Sequence, residues 1–534
     1  MLSSVRVAKI GESVDPMSRV LALPLSLLLS AWPAAAGASP VDASTLQGKV
    51  LFGYQGWFDC PRAGQGSWIH WSQGIPTPST LTVDLYPDLS EFEAEDLCPA
   101  DDFKIGGKQA YLFSSHNAAI VDAHFRWMEE NGLDGVFAQR FGTETSWRKS
   151  SGETVLRNIM AASAKHGRAF ALEYDISGLQ EANVVQTLQL DWMYLVDQIK
   201  LTEHPNYLHH EGKPVLSIWG IGLNDAGHPP EDPAVAAAMI QWFQSDAPEK
   251  YRVYYVGGTP YHWRGLANDS RSDPKWKAVY RSMDAIQPWT VGRYVDAAGV
   301  DGWKKDVLIP DLAETKSGGQ FYMPVVFPGF SWKNLNDGPE NQIPRKGGTF
   351  FWRQAMQAKA AGASMLKIAM FDEVDEGTAM FKVTSKRSEA PDDGYWLTLD
   401  ADGKDLPTDW YLRLAGEVTQ VFHGLRPISD TIPIQPGDDV SALQAKHPRR
   451  AGGAKGMHWR MTPDGGLVFQ GLPAGDRLRI WDMRGKIMGE SPIRRGRADW
   501  DGRDAQGKRF KPGIYWVDPG GGGAKALCLG FGLR

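Results

Sequence analysis

Eight short apolar segments recur along most of this chain, at residues 49–54, 135–141, 168–175, 214–220, 251–257, 285–289, 321–327 and 365–371. Most of the stretches between them carry helical periodicity, at 117–131, 152–166, 184–201, 232–244, 276–283, 299–315 and 348–361, with a closing helix at 408–424. Antiparallel neighbours need only a tight turn, whereas parallel strands need a crossover of a dozen or more residues, usually a helix. Strand–helix alternation therefore predicts a parallel sheet, and eight units predict an α/β fold of the closed (β/α)₈ TIM-barrel type over residues 44–437. A doubly wound open sheet would call for a Gly-rich phosphate turn after the first strand, and no G-x-G-x-x-G follows residue 54. A long Trp-rich excursion stands there instead, before the first helix.

Beyond about Pro436 the character changes. Residues 438–455 are polar, basic and Gly-rich and read as a linker. Short alternating segments come next, at 466–470, 477–482, 487–491, 514–517 and 526–529, the pattern of a small all-β sandwich over 456–534. Within it, A-D-W-D-G-R-D-A-Q-G (including Asp499, Trp500, Asp501 and Gly502) precedes Pro512-Gly513-Ile514-Tyr515. This resembles the FlgD-like immunoglobulin modules appended to secreted bacterial enzymes, and implies a spacer or attachment role.

The first 36 residues read as an export signal: Arg6, Lys9 and Arg19 precede an apolar run at 20–32, and Ala34-Ala35-Ala36 offers a cleavage site. A secreted or periplasmic protein is expected; an uncleaved anchor is the alternative, although the apolar run falls short of the roughly 20 residues that span a bilayer. Cys60 and Cys98 share one loop-rich region and can pair in such a compartment, leaving Cys528 over. Three cysteines at these spacings make no zinc motif. With 57 Lys and Arg against 63 Asp and Glu, there is no electrostatic case for nucleic acid.

In a barrel of this kind the chemistry sits where the strands end, at their C-terminal face. Those ends are loaded here. Tyr54 and Trp57 end the first, with His70 and Trp71 in its loop; Gln139 and Arg140 lie in the second, and Glu173, Tyr174 and Asp175 end the third. Trp219 ends the fourth, Tyr261 follows the fifth, Trp289 ends the sixth and Trp332 follows the seventh. The opposite ends are plain, so an aromatic and acidic groove on one face is the economical reading; the alternative is the scatter of a composition with 21 tryptophans. Flat aromatic faces suit sugar rings.

The eighth segment ends in Asp372, Glu373, Asp375 and Glu376, followed by Gly377. Crowded carboxylates repel, and sites that tolerate them commonly need one protonated acid beside one ionised base; the plainer reading is a solvated acidic loop. A turn at 374–376 brings Glu373 and Glu376 to the same mouth, and alternation puts Glu373 on the face of Phe371, Ala369 and Lys367. A carboxylate pair in an aromatic groove with no cofactor motif points to glycoside cleavage.

The run Phe371 to Thr378, F-D-E-V-D-E-G-T, resembles the F-N-E-x-x-E-G-T signature of endo-α-mannosidase-like glycoside hydrolases of family 99 and the related family 71. Tyr54-x-x-Trp57-Phe58, His70-Trp71, Glu173-Tyr174 and the run from Tyr207 to Val215 support the likeness; Thr398 to Gly403 and Asp409 to Leu412 resemble bacterial relatives labelled xylosidase/arabinosidase. The resemblance implies Glu373 as the base assisting attack by the substrate's 2-hydroxyl, Glu376 as acid/base, and Glu173 as a sugar ligand. Asp372 and Asp375 depart from the family's Asn and His, adding negative charge beside the proton donor and pointing to a sugar other than mannose.

A carbohydrate substrate is thus expected, lined by Tyr54, Trp57, His70, Trp71, Glu173, Tyr174, Trp219, Tyr261, Trp289, Trp332 and Asp372, with neither cofactor nor metal. Asp400, Asp402 and Asp405 form a D-x-D-G-x-D loop that reads as a turn, lacking the twelfth-position Glu of a calcium loop. His124 reads as a satisfied helix residue, His116 as a weak candidate, and Arg140 and Lys367 as candidate counter-ions for the acids. The competing readings are a non-catalytic glycan-binding protein on the same barrel, and chemistry carried by Glu173 and Asp175 instead.

Overall fold

The computed structural model describes residues 39–61 and 66–438, together with 458–461, 467–470, 477–482, 487–494, 497–501, 503 and 515–518. The expected export signal, most of the linker, Cys528 and the segment at 526–529 lie outside the described residues.

In chain order the first domain runs β1 (Val50–Tyr54), β2 (Leu97–Ile105), β3 (Lys108–Phe113), α1 (Ala118–Glu130), β4 (Gly135–Phe141), α2 (Glu144–Trp147), α3 (Lys149–His166) and β5 (Ala169–Asp175). It continues through α4 (Val184–Tyr194), β6 (His209–His210), β7 (Lys213–Trp219), α5 (Pro233–Gln241), β8 (Tyr254–Thr259), α6 (Trp276–Arg281), β9 (Ala285–Pro288), α7 (Ala297–Trp303) and α8 (Ile309–Gly318). β10 (Phe321–Tyr322), β11 (Val325–Val326), α9 (Lys333–Asn336), α10 (Thr349–Ala361), β12 (Leu366–Ile368) and α11 (Trp410–Phe422) complete it. Local chemistry starts and stops the helices where expected. Asn117 and Asp232 cap α1 and α5 through their side chains, and left-handed Gly167 ends α3.

The large sheet has the order β10-β9-β8-β7-β5-β4-β1-β12-β11, with every neighbour along that path parallel. Its two edges belong to one segment: β10 pairs with β9 and β11 with β12, and only Met323 and Pro324 separate them. Met323 N–H donates to the Ile286 carbonyl and Lys367 N–H to that of Pro324, so the curled sheet meets itself at this seventh segment. The parallel order and the helical crossovers fit a (β/α)₈ barrel.

Three local features differ from the sequence reading. The fifth strand starts at Tyr254, because 249–251 form a 3₁₀ turn. The sixth crossover is α7, a π-turn (Lys304–Leu308) and α8 in succession. The Trp-rich excursion contains an antiparallel hairpin, β2–β3, turning at Gly106-Gly107, and Cys60 is disulfide-bonded to Cys98 of β2.

In the C-terminal region β13 (His458–Met461), β14 (Leu467–Gln470) and β17 (Arg497–Trp500) form one antiparallel sheet. β15 (Arg477–Asp482), β16 (Ile487–Pro492) and β18 (Tyr515–Asp518) form another, in the order β16-β15-β18. Buried Leu478 and Ile480 in β15 and Ala498 and Trp500 in β17 alternate as one-sided apolar faces require, while the adjacent Val468 and Phe469 of β14 are both buried.

Candidate active site

The carboxylate turn is built by the first and last strands together. Regular pairing of β12 stops at Ile368, but Phe371 N–H still donates to Gly53 O, so the chain stays beside β1 as it turns. Asp372 then accepts the backbone N–H groups of Gln55 (2.7 Å) and Gly56 (2.8 Å). Glu373 accepts Gln55 Nε2 at 2.6 Å on one oxygen and the Thr378 hydroxyl at 2.5 Å on the other. Val374 O accepts the N–H groups of Asp84 and Leu85, and Glu376 O that of Ser331. Gly377, at φ +63°, lies so close to Ser331 that a Cβ there would meet its backbone nitrogen at 2.9 Å. The turn is thus gripped from three sides.

Enclosure shapes its electrostatics. Burial pushes Asp372 up to about 7 against its two backbone donors. Burial, then the charge of Asp375, raises Glu373, and Asp375 is itself raised by burial. Glu376 is raised well above the usual carboxylate range by burial and then by Glu373 and Asp375. The two glutamates nevertheless differ. Glu373 has two side-chain donors favouring its ionised form, whereas among the described residues no such donor reaches Glu376.

Around this turn Trp57 stacks on His70 (3.8 Å between ring centroids, 7° between planes) and on Phe141 (5.1 Å). His70 Nδ1 lies 3.8 Å from Asp375, whose buried Oδ1 has no hydrogen-bond partner among the described residues. Burial lowers the His70 imidazole to about 4, so it faces Asp375 uncharged at neutral pH. Below, in the barrel interior, Glu173 and Lys367 form a fully buried ion pair at 2.5 Å. Ser217 and Gln139 also donate to Glu173, and Lys367 also donates to Gln287. Trp219 and Trp289 meet edge to face at 5.4 Å, and the Trp289 ring lies 5.6 Å from Lys367 Nζ. Tyr261 and Trp332, half-buried, belong to loops following β8 and β11.

Several expected groove residues point elsewhere. Tyr54, alternating with inward Gly53, packs outward and bonds His124 Nδ1 at 2.9 Å. Tyr174, alternating with inward Glu173, donates to Asp191 behind the sheet, where Arg140 also pairs with Asp191 and not with the site's acids. Trp71 is wholly buried, donating to Phe113 O between Phe58 and Phe113. Phe371 lies outside with Phe52 and Tyr54, because regular strand alternation ends at Ile368. Glu173, expected as a sugar ligand, has both oxygens engaged by protein donors. His116 pairs with Asp59. Asp402 accepts Asn341 and Lys346, while Asp405 pairs with Lys386.

Sequence reasoning missed Gln55 and Thr378, which hold Glu373, and Asp84, which accepts Ser331 Oγ and the N–H groups of Lys333 and Asn334. Gln55 sits in the Tyr54–Trp57 run and Thr378 ends the acidic motif, so their spacing was visible though their roles were not. Among the described residues, no group of three or more His, Cys, Asp or Glu converges in a metal-holding arrangement.

No family model matches the chain, and no curated protein matches it. Among solved structures, it is similar to a family GH99 endo-alpha-mannosidase from Bacteroides thetaiotaomicron in complex with bis-tris-propane. The TM-score is 0.53 at 19% identity, over 72% of this chain and 100% of that one. A second structure of a GH99 endo-alpha-mannosidase from that organism gives 0.53 at 18% identity, over 71% and 99%. At such identities the likeness is one of fold: this chain has the barrel fold of those two structures.

Proposed function

We propose that this chain is an exported glycoside hydrolase cleaving O-glycosyl bonds of a glycan, with Glu376 as proton donor and Glu373 as base. The observation that carries this reading is the unequal treatment of two carboxyls on one buried turn. Pairs whose surroundings differ in this way divide into acid and base. Glu373 is aimed by Gln55 and Thr378, whose donated hydrogen bonds offset part of its rise and ease its ionisation; Glu376, with no such donor among the described residues, holds its proton more firmly. Glu376 protonates the leaving glycosidic oxygen, while Glu373 draws a proton from the attacking hydroxyl, the substrate's own 2-hydroxyl in the family it resembles. Trp57, stacked on His70, offers a ring face, and its buried Nε1 has no hydrogen-bond partner among the described residues. The fold likeness to endo-alpha-mannosidases supports a glycan substrate. Export is supported by the N-terminal pattern and by the Cys60–Cys98 bond. The C-terminal strands are proposed as a FlgD-like spacer or attachment module.

The test is hydrolysis of α-mannan, xylan, arabinan and fucosylated glycans by wild type, Glu373→Gln and Glu376→Gln. Each variant should lose about 10²–10⁴-fold in rate. Glu376→Gln should lose least on aryl glycosides, whose leaving groups need no proton. Sugar binding without turnover, unchanged in both variants, would favour the glycan-binding reading; turnover that survives both changes would refute the assignment of this pair.

A further inference from the structure

Away from the carboxylate turn, the loops after β5 and β7 bring a second constellation together. Asp225 Oδ1 lies 2.6 Å from His228 Nδ1, and His228 Nε2 lies 3.0 Å from Ser177 Oγ. A carboxylate oxygen so close requires a proton on Nδ1. With the ring proton on Nδ1 alone, Nε2 is an acceptor placed to take the Ser177 hydroxyl proton. Asp175, which holds the Ser177 backbone N–H at 2.8 Å, is the other acceptor near that hydroxyl.

The arrangement is fixed in place. Gly178 N–H donates to Gly227 O at 2.8 Å, stitching the two loops, and Arg271 Nη2 donates to the carbonyls of Asp225 and His228. Gly220, at φ +102°, leaves room for the imidazole: a Cβ there would stand 2.8 Å from His228 Cδ2. The ring also meets Trp219 edge to face at 5.2 Å, placing it beside the Trp219–Trp289 platform. Gly178 is exposed and Ser177 half-buried, so the hydroxyl is approachable.

We propose that Ser177, His228 and Asp225 form a second catalytic centre that removes acyl ester groups from carbohydrate hydroxyls. Nucleophile, base and orienting acid are recognised by geometry and role, not by a sequence motif. Ser177 Oγ bonds to the ester carbonyl carbon as its proton passes to His228 Nε2. The tetrahedral oxyanion collapses, the carbon–oxygen bond to the sugar breaks, and His228 returns the proton to the departing hydroxyl. Water, deprotonated by the same imidazole, then cleaves the acyl-serine and releases a carboxylic acid. Turnover is slow, because the N–H groups of Ser177, Gly178 and Leu179 are committed to Asp175, Gly227 and Ile176, leaving none of the three for the oxyanion.

A covalent probe is therefore the sharper readout. The full chain is treated with a fluorophosphonate and digested, and the adduct is located by mass spectrometry. In parallel, acetate release from O-acetylated xylan is followed. Wild type should carry the label on Ser177, Ser177→Ala should not, and Asp225→Asn should label slower by about 10²-fold or more. Asp225 is half-exposed, so that variant keeps the fold. No label, a label on another serine, or undiminished labelling of Asp225→Asn would overturn the proposal. Labelling of Ser177 without acetate release would overturn the sugar-ester assignment.

Discussion

Asp375 is the residue on which the character of the carboxylate turn depends. It stands between the two glutamates in sequence, raises both of them by its charge, and keeps one oxygen without a hydrogen-bond partner among the described residues. A nearby anion makes each glutamate harder to ionise, so under the proposed function the pH profile should lie above the range of ordinary carboxylates. Replacing Asp375 by Asn removes that charge at nearly constant volume. Both limbs of the kcat/KM profile should move to lower pH, by roughly one unit, because such profiles report the pair's shared titration. An unmoved profile would mean that Asp375 acts only through shape. The acids were legible at this scale, since four of them ending an apolar run are costly without a purpose. Which partner would hold each was not legible, because Gln55 lies 318 positions from Glu373.

The elements surrounding the turn are less regular than the strands beneath. The β2–β3 hairpin lies in a stretch whose tryptophans mask it, although Gly106-Gly107 between two mixed runs is a recognisable hairpin signal. Its bond from Cys98 to Cys60 closes a loop of 38 residues around the segment that bears His70 and Trp71. Confining that loop restricts the unfolded chain, an effect of about 4 kcal/mol for this length. Cys98→Ser should therefore lower the melting temperature under oxidising conditions. Added reductant should lower that of wild type alone, which differential scanning calorimetry can follow. Strand alternation explains why Tyr54 and Tyr174, both expected in the groove, face outward while Gly53 and Glu173 face inward. It failed for Phe371 because the ladder ended three residues earlier.

Across the whole molecule the barrel was legible because eight apolar segments and their crossovers repeat one unit. The break of the seventh segment, read as one strand over 321–327, into β10 and β11 was not, since two-residue strands leave no periodicity to read. The four carboxyls of the turn, three buried and Glu376 half-buried, also leave a global signature. Asp372, Glu373, Asp375 and Glu376 have folded-state pKa values above their unfolded ones. Each contributes stability that is complete below the unfolded value and lost as pH rises through the folded one, about 7 for Asp372. Buried His124, lowered to about 3, works the other way, but its contribution is complete above about pH 6.5. Glu91, held at about 2, titrates well below. Between about pH 6.5 and 8.5 the melting temperature should fall by roughly a few degrees, and by less in Asp375→Asn.

The grip of β1 on the acidic turn also sets an order of events in time. The bonds from Gln55 to Asp372 and Glu373 join parts of the chain 317 and 318 residues apart. Contacts at such separation carry the largest loop-closure cost and form late, after neighbouring strands have paired. No partial barrel, however well packed, holds those carboxyls in register. The carboxylate turn is therefore complete only once the last strand of the barrel meets the first.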